Sequence, residues 1–199
     1  PKKASKLPAV IVIHENRGLN AHIEDIARRL ALEGFLVLAP DLLSPLGGTP
    51  TDEDAARTMI GKLESTQTLQ QLDDAIVFLQ QHAHSNGKVG AVGFCWGGGV
   101  VGDLAVHSTS LAAGVVYYGR QPTSEDVANI NAPLLLNYGG LDTRINQGIP
   151  AFEEALKKAN KTYALHIYEG VNHAFNNDTS EARYNKAAAE LAWSRTVAF

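Results

Sequence analysis

Cysteine is almost missing from this chain. Cys95 is the only one in 199 residues, and Met59 is the only methionine. A lone cysteine forms no intramolecular disulfide, so the fold is expected not to depend on an oxidising compartment, and a free thiol fits the cytoplasm. The chain opens on Pro1-Lys2-Lys3, as a trimmed piece of a longer product would, so an exported form stays open. Long apolar runs are also missing, and no membrane span is expected. Charge is sparse: 19% of residues are charged and the formal net charge is -4. No basic cluster marks a nucleic-acid or anionic-membrane surface, and neither partner is expected. No His/Cys/Asp/Glu cluster has metal spacing; after His14-Glu15, an H-E-x-x-H zinc signature would need histidine where Gly18 stands. No metal and no cofactor is expected. Repeats, low-complexity tracts and long linkers are absent as well.

The 45% of hydrophobic residues is enough for an ordinary folded core. Its pattern alternates short β-branched runs with amphipathic helical stretches. Ala9 to Ile13 is apolar on both faces, as a buried parallel strand should be. Ile23, Ile26, Ala27, Leu30 and Ala31 follow at helical spacing, with Gly34 at a C-cap position. Further strands are predicted at 35–39, 88–94, 111–118, 133–138 and 163–168. Helices are predicted at 52–63, 66–84, about 96–107, 147–160 and 180–198. Strands separated by helices predict one α/β domain over residues 1–199: a mostly parallel sheet with helices on both faces. Some residues of the full product are expected to be missing at both ends.

Gly93-Phe94-Cys95-Trp96-Gly97 reads G-x-C-x-G, the cysteine form of the nucleophile elbow, with a strand before it and a helix after it. At such a strained turn the neighbours must be small, which the glycines satisfy. The turn would lift the thiol above the sheet edge and set it at a helix N-terminus, where unpaired N–H groups favour the thiolate. The Trp96 N–H would face a developing oxyanion. A free cysteine is more often a small buried hydrophobe. A nucleotide-binding turn would need G-x-G-x-x-G, which residues 90–97 do not match.

The same fold requires an acid and then a histidine, each just after a later strand. Asp142 follows the strand ending near Tyr138, and His173 follows the strand ending at Tyr168. Either has an ordinary alternative, since Asp after Gly-Gly caps turns and His82, His84 and His107 read as surface histidines. Their order and placement point instead to a triad in which His173 takes the thiol proton and Asp142 orients the imidazole. The loop after the first strand, His14-Glu15-Asn16-Arg17, would supply a second oxyanion N–H from Asn16.

These stretches together resemble the dienelactone hydrolase (carboxymethylenebutenolidase) family of the α/β-hydrolase fold. The residues that carry the likeness are His14-Glu15-Asn16-Arg17-Gly18, Ala39-Pro40-Asp41-Leu42, Gly93 to Gly98, Tyr117-Tyr118-Gly119, Gly140-Leu141-Asp142 and Asn172-His173-Ala174-Phe175. The resemblance implies a Cys95–His173–Asp142 triad with Glu15 as a fourth member that interacts with the resting thiol. It places Tyr118 in the substrate pocket. The arginines with which the family holds a lactone carboxylate have no counterpart after Pro40-Asp41-Leu42 or after His173-Ala174-Phe175, leaving Arg17 and Arg120 as candidate substitutes.

The function expected is hydrolysis of a small ester or lactone through a cysteine nucleophile, by a monomer or small homo-oligomer. Thioesters and phosphotriesters suit the same site. A redox-responsive thiol protein or an inactive scaffold would be the alternatives, and a sensor usually keeps a resolving cysteine that this chain lacks.

Overall fold

The computed structural model describes residues 6–199; the Pro1-Lys2-Lys3 opening lies outside the described residues. Six strands form one sheet: β1 (Leu7–Ile13), β2 (Leu36–Leu38), β3 (Ser85–Phe94), β4 (Ala113–Tyr117), β5 (Leu134–Gly139) and β6 (Tyr163–Tyr168). Their order across the sheet is β2-β1-β3-β4-β5-β6, and every neighbouring pair is parallel. Seven α-helices connect or flank them: α1 (Ala21–Leu32), α2 (Glu53–Ile60), α3 (Ser65–Gln81), α4 (Trp96–His107), α5 (Thr143–Asn146), α6 (Ile149–Lys158) and α7 (Lys186–Ala198).

Two apolar layers lie on opposite faces of the sheet, because strand side chains alternate. Ile11 and Ile13 of β1, Ala91 of β3 and Leu136 of β5 pack with Leu72 and Ile76 of α3, Val101 and Leu104 of α4 and Phe152 of α6. Val12, Phe94, Tyr117 and Leu135 pack with Ile23, Ile26 and Leu30 of α1 and with Ala188 and Ala192 of α7. The α/β arrangement with both faces covered is therefore the one predicted from the alternation of strand and helix patterns.

Two elements end where local chemistry, not apolar periodicity, sets the boundary. The final helix begins at Lys186 and not near 180, because the Asn185 side chain accepts from the Ala188 N–H at 3.0 Å and caps it there. β2 is only three residues long, as suits a strand at the sheet edge.

The strand order reverses direction between β1 and β3. The chain goes from β1 outward to β2 on one side, then returns and steps from β3 to β6 on the other. Such a reversal opens a crevice beyond the carboxyl ends of the two strands at the break. The loop after β1 and the turn after β3 meet there.

Candidate active site

Cys95 sits between β3 and α4 with φ 55° and ψ −114°, a conformation that L-residues rarely adopt. The chain reaches it only because the flanking backbones touch. A Cβ on Gly93 would lie 2.1 Å from the Gly97 carbonyl oxygen, and one on Gly97 would lie 2.4 Å from the carbonyl oxygens of Ile13 and His14. Glycine at both positions lets α4 start against β1 and β3. The thiol is thereby lifted over the sheet edge, with the backbone N–H groups of Trp96 and Asn16 both directed at its sulfur.

His173 reaches the same point from the loop after β6. Its Nε2 lies 3.2 Å from Cys95 Sγ, and its Nδ1 lies 2.5 Å from Asp142 Oδ2. A proton on Nδ1, donated to the carboxylate, leaves Nε2 free to accept from the thiol. Asp142 also caps α5, because its Oδ1 accepts from the Ile145 N–H at 3.3 Å. The helix cap and the contact to His173 are thus made by one residue with two oxygens, and neither excludes the other. Asn146 fixes the turn by donating to the Gly139 carbonyl at 2.8 Å.

Burial and the Glu15 charge push the Cys95 thiol above its ordinary pKa, and the Trp96 and Asn16 N–H groups with the Arg144 charge pull it only part of the way back. The helix N-terminus does favour the thiolate, as expected, but desolvation and a nearby carboxylate outweigh it. The Cys95 sulfur lies within hydrogen-bond distance of the imidazole Nε2.

Glu15 is 6% exposed. Its Oε2 accepts from Asn177 Nδ2 at 3.0 Å and its Oε1 from the Tyr118 hydroxyl at 3.4 Å. Burial raises its pKa, while the Asn177 and Tyr118 donors and the charges of Arg17 and Arg183 oppose the rise. Among the described residues no hydrogen bond joins Glu15 to Cys95; the sulfur contacts the His173 imidazole at 3.2 Å, while the Glu15 charge still bears on the thiol. His14 anchors this loop. Its Nδ1 is 2.8 Å from the Glu15 carbonyl, its Nε2 accepts from the Leu42 N–H at 3.3 Å, and its ring stacks on Trp96 at 5.3 Å.

Two expected substrate contacts lie elsewhere. Tyr118 is fully buried, and it stands behind the site with its ring 5.0 Å from that of His173 and its hydroxyl on Glu15. Its φ of 41° turns the side chain into the core and carries Gly119 against Gly98. The chain then passes along the side of α4, so Arg120 pairs with Asp103 and faces a separate small cavity beside Trp96 and Val100. Arg17 does border the site, paired with Glu53.

A cavity of about 480 Å³ opens over Cys95 and His173. Three arginines that sequence patterns do not single out line it: Arg57 from α2, Arg144 from α5 and Arg183 from the loop before α7. Arg57 lies 3.5 Å from Asp54. Among the described residues, Arg144 and Arg183 make no ion pair. Nothing local marks these arginines, because each is a solvated residue of its own segment until the loops converge. Asn177 is likewise unmarked in the sequence as a partner of Glu15.

Known proteins agree with this architecture. The dienelactone hydrolase family profile matches residues 1–199. A relative from Escherichia coli (strain K12), named as a candidate carboxymethylenebutenolidase, is 36% identical over 99% of this chain and 78% of its own length. A relative from Bradyrhizobium sp., named as a candidate 2-oxo-3-(5-oxofuran-2-ylidene)propanoate lactonase, is 33% identical over 100% of this chain and 85% of its own. The crystal structure of a candidate dienelactone hydrolase from Klebsiella pneumoniae superposes with a TM-score of 0.90 at 33% identity, covering 100% of this chain and 88% of that one. On sequence, fold and strand order together, the chain belongs to the dienelactone hydrolase family of hydrolases.

Proposed function

We propose that this protein hydrolyses the acyl carbon–oxygen bond of a small anionic ester or lactone through a Cys95–His173–Asp142 triad. The observation that carries the reading is the line of contacts from Asp142 Oδ2 through the two nitrogens of His173 to Cys95 Sγ. His173 Nε2 takes the thiol proton as sulfur attacks the carbonyl carbon. Burial and the Glu15 charge hold the thiol's pKa up, so proton transfer to His173 accompanies the attack in this reading. Negative charge then develops on the carbonyl oxygen, where the Asn16 and Trp96 N–H groups stabilise it. Donors so placed contribute about 3 kcal/mol each in comparable sites. The imidazolium returns its proton to the leaving alkoxide. Water deprotonated by His173 then cleaves the thioester, releasing the acid and the thiol. Asp142 fixes the imidazole tautomer throughout.

The four arginines around the cavity support an anionic substrate. Arg17 is already paired with Glu53, whereas Arg144 and Arg183 line the same cavity as Cys95 and make no ion pair among the described residues. The Bradyrhizobium relative is named for a lactone that carries a carboxylate, a substrate class that fits this lining.

The covalent step is tested by acid quench of the enzyme during turnover of p-nitrophenyl acetate, followed by peptide mass spectrometry. One acetyl group on the peptide that contains Cys95 is expected. Steady turnover with acetyl on another residue, or on none, would overturn the nucleophile assignment.

A further inference from the structure

The sheet is finished differently at its two edges. β2, at one edge, has three residues, whereas β6, at the other, has six. Among the described residues no strand pairs with the outer side of β6. The Leu134 N–H donates to the Thr162 carbonyl at 3.1 Å, and the Gly140 N–H to the Tyr168 carbonyl at 2.7 Å. Successive residues of a strand turn their N–H and C=O groups to opposite sides. Thr162, Ala164, His166 and Tyr168 therefore face β5, and Tyr163, Leu165 and Ile167 turn theirs away from the sheet. Edge strands are ordinarily guarded by shortness, charge or proline. Residues 162–168 contain no proline and no Lys, Arg, Asp or Glu. Their ionisable side chains are held neutral, because burial raises the pKa of Tyr163 and Tyr168 and lowers that of His166. Ile167 is 48% exposed, on the face where Tyr163 and Leu165 pack against the apolar layer that holds Phe152 of α6. Charge returns only at the two ends of the strand, with Lys161 before it and Glu169 after it. Among the described residues neither makes an ion pair.

From this we infer that β6 is an interface with a second copy of this chain, joined antiparallel about a two-fold axis at Leu165. In an antiparallel pair, residues whose backbone groups face each other exchange both hydrogen bonds, with Cα atoms about 5.5 Å apart. An axis at Leu165 sets this residue against its own counterpart and Tyr163 of each copy against Ile167 of the other. Every outward N–H and C=O of β6 is then paired. The half-exposed Ile167 comes to lie beside an aromatic ring, a favourable cross-strand pair. The same register places Lys161 of each copy opposite Glu169 of the other, so an attractive charge pair closes the strand at both ends. Moving the axis by one residue in either direction loses both charge pairs. The contact uses one patch twice, so it closes at two chains and does not propagate into a fibre.

Sedimentation equilibrium over a range of chain concentrations tests this, with the fold of each protein confirmed by circular dichroism. The parent is expected to reach twice the mass of one chain. Ile167→Lys puts a charge into the paired strand, where the single chain would leave it in water. It is expected to raise the dissociation constant at least about tenfold. Lys161→Glu alone and Glu169→Lys alone each set like charges against each other at both ends, and each should weaken the dimer several-fold. The two reversals together restore opposite charges, and the double variant is expected to return to within about twofold of the parent. A parent that stays monomeric at every concentration would overturn the inference. So would a dimer whose dissociation constant Ile167→Lys leaves unchanged, because its contact lies on another surface. A double variant no tighter than the single ones would overturn the register. If Ile167→Lys does not fold, the charge reversals, which stand outside the strand, decide alone. The readout is mass, so none of these outcomes depends on the triad reading above.

Discussion

A carboxyl group buried as deeply as that of Glu15 carries a desolvation cost that its two donors only partly offset. Its pKa in the folded state is raised, so between the unfolded and folded values the folded protein keeps a proton that the unfolded chain has released. The stability associated with that proton is complete below the unfolded pKa and is lost as pH rises through the folded one. Glu15→Gln should therefore stabilise the protein by about 1 kcal/mol at pH 7.5, while slowing or altering catalysis. The advantage should shrink towards pH 5. Thermal unfolding of both proteins at the two pH values measures this, and a variant less stable than the parent at pH 7.5 would contradict it. Asp142 offers the reverse separation. Asparagine caps a helix as well as aspartate does, but its amide cannot hold the imidazole in the tautomer that accepts from sulfur. Asp142→Asn should keep the melting temperature within a degree or two of the parent's and reduce kcat about 10³- to 10⁴-fold. A large loss of stability with activity retained would reverse the two roles.

At the scale of elements, the site depends on how closely α4 and β3 approach the loop after β1. Gly93→Ala places a Cβ 2.1 Å from the Gly97 carbonyl oxygen and 2.8 Å from Val101 Cγ2. Both neighbours are packed, so a loss of about 3 kcal/mol or more is expected in urea unfolding. Asn185→Ala, which removes the cap of α7, should cost about 1 kcal/mol by the same measurement. Equal effects would mean that the elbow is less tightly packed than these distances require. These two residues also show what a sequence makes readable. Strand and helix order is legible because apolar periodicity records burial directly, and the elbow is legible because close backbone approach admits only glycine. The start of α7 is not, since alanine-rich periodicity runs on past the capping asparagine. Arg57, Arg144, Arg183 and Asn177 are not assignable either. They come together only when α2, α5 and separate loops converge over Cys95, and no local pattern encodes that convergence. Tyr118 belongs to a motif that predicts a pocket residue, whereas a positive φ that no sequence pattern announces turns it inward.

Two opposing features mark the molecule as a whole. The chain has a formal net charge of -4, yet the cavity over its candidate site is ringed by arginines. Local field, not net charge, should select substrates at that distance, because ions screen beyond about 8 Å at physiological salt. KM for an ester carrying a carboxylate should therefore rise several-fold between low and high ionic strength, while KM for neutral p-nitrophenyl acetate changes little. Equal salt dependence for the two would argue against an anionic subsite. A second global property follows from His14 and His22, both buried and both with pKa lowered chiefly by desolvation. The unfolded chain takes up these protons below its ordinary pKa of 6.5 while the folded protein resists them. Stability from these groups is present above that value and is lost as pH falls beneath it. Glu15 works against the trend, so the fall in melting temperature from pH 7.5 to 5.5 should be steeper in the Glu15→Gln variant than in the parent.

The central claim is that the Cys95 sulfur attacks the substrate. Its most direct test is the hydrolysis of p-nitrophenyl acetate and of a carboxylate-bearing lactone by the parent and by Cys95→Ala, each shown to be folded by circular dichroism. The parent is expected to cleave both, and the variant to cleave neither above the uncatalysed rate. A folded Cys95→Ala protein that retains the parent's activity would contradict the claim.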